Sequence, residues 1–98
     1  MNINDVNNNN GLVIELRSGQ TALVQTGMLC ALCRNKYGSV WQVINLQYYN
    51  EDMCDCSDAD YDIIRIWKLK GLYDVCRYMS DDVSHSIADC IWEGNWKG

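Results

Sequence analysis

The sequence predicts a mainly β domain of the α+β class, either a small, strongly bent antiparallel sheet or an SH3-like barrel of five or six strands with one short helix. Three observations carry this. Short apolar runs rich in Val, Ile, Leu, Tyr and Trp recur along the chain, the residue types that favour strands. Segments built from Gly, Asn, Asp and Ser separate them, and with no Pro in the chain these residues must make the turns. Helical spacing dominates only near residues 72–79. Ninety-eight residues allow a single domain, since domains most often run to roughly 100–150 residues.

The opening "MNINDVNNNN" is an Asn-rich run with little apolar surface to bury, so residues 1–10 are expected to be a flexible arm and 11–98 the β-rich domain. "LVIELRSGQTALVQ" follows, two apolar runs around Ser18-Gly19, which predicts a β-hairpin closed by a two-residue turn. "MLCALCR", "NKYGS" and "VWQVINLQYY" repeat the pattern and predict a second hairpin. "NEDMCDCSDAD" is polar enough to be a loop. In "YDIIRIWKL", a fifth strand, strict alternation sets Ile64 and Ile66 on one face and Ile63, Arg65 and Trp67 on the other. Leu72, Val75, Cys76 and Met79 then fall on one face of a short helix. Residues Ile87 to Trp92 suit a closing strand, although Val83, Ile87 and Ile91 also lie at helical spacing.

Charge is unevenly distributed. The chain carries a net charge of −5, and eleven of its thirteen acidic residues lie beyond residue 49. Such a balance argues against direct binding to nucleic acid or to anionic lipid, both of which need a basic patch. No apolar run approaches the roughly 18 residues of a membrane span, and the opening lacks a basic-then-apolar leader. The expected location is the bacterial cytoplasm, where six cysteines are read as free thiols or metal ligands before disulfides.

Candidate chemistry is sparse. Cys30 and Cys33 form one Cys-x-x-Cys pair, with Cys54 and Cys56 some distance on, but a zinc knuckle needs two pairs of that spacing. On a strand, Cys30 and Cys33 would point to opposite faces. A redox pair belongs at a helix N-terminus, where the thiolate is stabilised, and strand residues surround this one. Asp58, Asp60 and Asp62 begin like a calcium loop, but Ile63 replaces the required Gly and Leu69 the terminal Glu. His85 is the sole histidine, and neither it nor the neighbouring Asp89 and Cys90 belongs to a motif with a mechanism. No catalytic residue, cofactor or metal is therefore assigned.

The hairpin "GLVIELRSGQTALVQ", then "YNEDM", "YDIIRIWK" and the closing "IW", resemble a group of small uncharacterised proteins from phages and prophages of Firmicutes. The likeness covers residues 11–26, 48–68 and 87–93, while the cysteines at 30–33 and 54–56 depart from that group's pattern. It implies a small accessory phage protein with no catalytic residues to carry over.

The expected function follows from both lines: a non-catalytic, anti-CRISPR-like binding protein that blocks a bacterial host target. Residues 51–62 hold six carboxylates and no base, a surface able to imitate a phosphate track and dock on a basic nucleic-acid-binding effector. The contact residues would be Glu51, Asp52, Asp55, Asp58, Asp60 and Asp62, with Tyr48, Tyr49 and Trp67 as aromatic neighbours. A patch of Trp41, Tyr48, Tyr49 and Trp67 is the related expectation. The alternative is a homo-oligomer that sequesters a nucleotide immune signal, with Arg17, Arg34, Lys36 or Arg65 pairing with phosphate.

Overall fold

The structure, a computed structural model, describes residues 1–35, 37, 39–55, 57–71 and 73–94. Six strands, β1 (Leu12–Leu16), β2 (Thr21–Gln25), β3 (Cys30–Arg34), β4 (Val40–Asn45), β5 (Ile63–Leu69) and β6 (Ala88–Glu93), form one antiparallel sheet in the order β4-β3-β2-β1-β5-β6. The sheet is open, with β4 and β6 at its edges, so of the two expected architectures the barrel is not the one adopted. Helices α1 (Ile3–Asn7) and α2 (Asp74–Asp81) complete the domain.

Alternation along the strands gives the sheet two apolar faces. Leu12, Ile14 and Leu16 of β1 join Ala22, Val24, Ala31, Cys33, Ile44, Ile63 and Ile66 in one cluster. Val6 of α1 and Leu46, Tyr49 and Met53 of the β4–β5 connection pack in the same cluster. On the opposite face Val13, Trp67, Leu69 and Ala88 meet Tyr78 of α2.

Several local expectations are corrected. The β1–β2 turn is wider than two residues: Gly19 N–H donates to Leu16 C=O (2.9 Å) and Leu16 N–H to Gln20 C=O (2.8 Å). That pattern is a three-residue loop closed by a left-handed residue, and Gly19 fills the position at φ +94°. The first ten residues do not form a detached arm. Asn2 caps α1 by accepting from the Asn4 and Asp5 N–H groups, Asp5 accepts in return from the Asn2 N–H, and Val6 is fully buried.

In β5 a bulge changes the phase. Glu15 pairs with Arg65 but Leu16 with Ile63, so Ile64 is extra. Ile63 and Ile66 thereby share one face, where strict alternation would oppose them. Helix α2 turns Tyr78 rather than Cys76 toward the sheet; Cys76 is exposed. Leu72 of the expected helix face lies outside the described residues.

Candidate functional site

The acidic segment is built around a series of side-chain-to-backbone hydrogen bonds. A turn of 3-10 helix at Leu46–Tyr48 leads from β4, and a second at Ala59–Tyr61 leads into β5. Between them the Asn50 side-chain oxygen accepts from the Asp52 and Cys54 N–H groups (2.9 and 3.1 Å). Asp55 Oδ1 accepts from Ser57 N–H and Oγ–H (both 2.8 Å) and from Asp58 N–H (3.1 Å). Asp58 in turn caps the second helical turn through Asp60 N–H (3.0 Å). Asn and Asp are suited to this because their short side chains satisfy the backbone two or three residues on.

Three anchors fasten this segment to the sheet. Met53 is fully buried at φ +64° and accepts the Ile63 N–H (2.9 Å). Tyr49, also buried, donates its hydroxyl to Tyr61 C=O (2.6 Å), and burial first, then nearby Asp55, raises its phenol well above the ordinary range. Asp62 is buried; it accepts from Asp55 N–H (2.8 Å) and pairs with Arg17 (3.5 Å). The β1–β2 loop clasps the same place, Arg17 N–H donating to Asp62 C=O and Ser18 N–H to Asp60 C=O.

The expected contact residues therefore divide. Glu51, Asp52, Asp58, Asp60 and Tyr48 are exposed and Asp55 is half-buried, so these six can meet a partner. Asp62 and Tyr49 belong to the foundation of the loop. Trp67 lies among the residues that pack on α2, across the sheet from the loop, where its Nε1–H donates to Glu15 (3.1 Å) and its ring meets His85 edge-on. Trp41, by contrast, is half exposed. The aromatic patch expected from Trp41, Tyr48, Tyr49 and Trp67 thus does not assemble, because counting aromatic residues gives no information on which face of the sheet each occupies.

Partial burial pushes the Asp55 carboxyl up, but the three hydrogen bonds from Ser57 and Asp58 outweigh it and hold the group below its ordinary 3.8. A folded-state pKa below the unfolded one stabilises the fold above the unfolded value, and that contribution is lost as pH falls through the lower folded value. The Ser57 and Asp58 amide resonances are accordingly expected to titrate together with a midpoint below 3.8. A midpoint at or above that value contradicts the hydrogen-bonded turn.

The arginines proposed for phosphate binding are already engaged. Arg17 pairs with Asp62, Arg34 with Asp82 (3.4 Å), and Arg65 with Glu15 (2.6 Å) and Glu93 (3.6 Å). Lys36 lies outside the described residues. A groove of about 440 Å³ between Gln20, Thr21, Arg34, Trp41 and Asp82 contains both members of the Arg34–Asp82 pair, which leaves an anion little net attraction.

Cys33 is buried in the core, and that burial pushes its thiol up to about 11, so it is protonated at neutral pH. Cys30 is half-buried three residues away on the same strand, and Cys56 lies outside the described residues. Among the described residues no three His, Cys, Asp or Glu side chains gather as a metal site, and no helix is long and apolar enough to cross a membrane. Compared with protein-family models, curated proteins and solved structures, the chain matches none.

Proposed function

We propose that the protein is a non-catalytic, phage- or prophage-encoded binding protein that inhibits a bacterial host target through the acidic β4–β5 connection. The observation that supports this reading is a set of exposed carboxylates, Glu51, Asp52, Asp58 and Asp60, on a backbone held by its own Asn and Asp side chains. Segment 51–62 contains no basic residue, so those carboxylates have no internal competitor within the loop. A loop already ordered before binding loses less entropy when it docks. Like charges on one loop also favour a basic partner and disfavour an acidic one. The partner class is a basic, nucleic-acid-binding effector of a host defence system, whose phosphate-binding track these carboxylates would occupy.

The test is inhibition of nucleic-acid binding by such an effector, using a CRISPR nuclease from the bacterial host as the probe. Combining Glu51→Gln, Asp52→Asn, Asp58→Asn and Asp60→Asn is expected to weaken inhibition at least ten-fold, and raised salt should weaken the native protein in parallel. Asp62 is left intact because neutralising it would break the Arg17 pair and disturb the fold. Full inhibition by the folded quadruple variant overturns the acidic-surface reading.

A further inference from the structure

The acidic connection opens and closes on a turn of 3-10 helix, and each turn ends on a tyrosine, Tyr48 in the first and Tyr61 in the second. Both line one pocket of about 220 Å³, together with Gln42 and Asn45 of β4 and with Asp55 and Ser57. The pocket therefore lies where the connection folds back beside β4. Among the described residues its lining holds one carboxylate and no base, in contrast to the groove whose Arg34–Asp82 pair offsets its own charge.

Two acceptors in this lining lack donors. Asp55 Oδ1 already takes three hydrogen bonds, from Ser57 and Asp58, whereas Oδ2 takes none among the described residues. Those bonds also hold the carboxyl below its ordinary value, so the group is charged at neutral pH. The Gln42 side-chain oxygen has no donor, and its Nε2 reaches the Tyr61 hydroxyl only at a long 3.4 Å. An amide held so loosely gains most from a ligand that brings donors of its own. Tyr48 is 61% exposed, so its ring can be met from solvent, and an aromatic face attracts a cation. Carboxylate, amide oxygen and aromatic face together specify a ligand that is cationic, rich in donors and flat. A guanidinium meets all three conditions, with five N–H donors, no acceptor and a plane that stacks on rings. An ammonium is more strongly hydrated and has no flat face.

We propose that this pocket is the receptacle for one arginine side chain of the protein's basic partner. The inference rests on the inhibitor reading, which supplies the sign of the partner's charge, and adds a defined anchor to it. An arginine in a phosphate-binding track presents its fork to a pair of phosphate oxygens; here the Asp55 carboxylate takes the phosphate's place. The exposed Glu51, Asp52, Asp58 and Asp60 supply the surrounding field. Such a field draws a basic surface close without choosing among its residues. A pocket of this chemistry chooses arginine over lysine.

Chemical-shift titration of the whole protein with N-acetylarginine methylamide tests the proposal, with the corresponding derivatives of lysine and of citrulline, the neutral analogue of arginine, as controls. The arginine probe is expected to move the Gln42 side-chain amide, Ser57 and Tyr61 signals saturably, and the lysine and citrulline probes to bind at least roughly three-fold more weakly. Tyr48→Ala, at an exposed position, is expected to weaken arginine binding about three-fold and to weaken inhibition of the effector with every surface carboxylate still in place. Absence of shifts at the pocket, equal binding of the three probes, or unchanged arginine binding by the folded Tyr48→Ala protein overturns the proposal. The two readings fail separately. Arginine-selective shifts together with full inhibition by the quadruple carboxylate variant sink the acidic-surface reading and leave the pocket standing; loss of inhibition in that variant without arginine-selective shifts does the reverse.

Discussion

Arg34→Met is expected to destabilise the domain by about 3 kcal/mol, measured by urea denaturation, because it removes the charge-assisted hydrogen bonds that a buried guanidinium makes to the end of α2. The Arg34 side chain is only 8% exposed. Its Nη2 donates to Met79 C=O (3.1 Å) and Ser80 C=O (3.5 Å), and its Nη1 approaches Asp82. These carbonyls belong to the last turn of α2, where helical partners run out and a cation is favoured. The same guanidinium lies 5.7 Å from the centre of the Tyr78 ring. Tyr78 donates to Thr21 Oγ1 (2.9 Å), and Thr21 to Asp82 (2.7 Å). Two strands and a helix end are therefore joined through four side chains, and an eight-residue helix depends on such support. A loss below about 1 kcal/mol would place Arg34 among surface ion pairs and contradict this assignment.

Met53→Ala is expected to cost a similar amount, about 3 kcal/mol, the range for removing a fully buried Met side chain. Its effect should be local as well as global. Met53 is the buried anchor of the acidic connection, so amide exchange across 50–62 should accelerate more than in β1, β2 and β3. The left-handed backbone at Met53 costs of order 1 kcal/mol for a residue with a Cβ, and burial of its side chain sustains it. If stability falls while exchange in the connection stays in step with the sheet, Met53 is a core residue without a role in ordering the loop.

The hairpins were legible in the sequence because apolar alternation and a turn residue such as Gly19 act over a few positions. Helix α1 carried a signal that the Asn run obscured: Asn2 and Asp5 stand at the spacing of a reciprocal cap, with Ile3 and Val6 one helical turn apart. The Ile64 bulge had none, since Ile63 and Ile64 are equally apolar and either could face the core. Counting carboxylates located the acidic loop but could not separate Asp58 from Asp62, whose difference lies in Arg17, far away along the chain. The Arg34–Asp82–Thr21–Tyr78 cluster was equally hidden. Thr21 and Tyr78 are 57 positions apart, and neither type at such a distance announces the other.

The strand order has a consequence for how the chain folds. Strands β1 to β4 are sequential neighbours, so residues 12–45 can close by short turns at small entropic cost. Strand β1 then waits with one side open, because its other neighbour is β5 and the Glu15–Arg65 pair spans 50 residues. Contacts of such separation set the pace of folding. On this order α2 and β6 follow that closure, which makes the β1–β5 seam the gate to a finished sheet and the place where a slow or misdirected chain would stall.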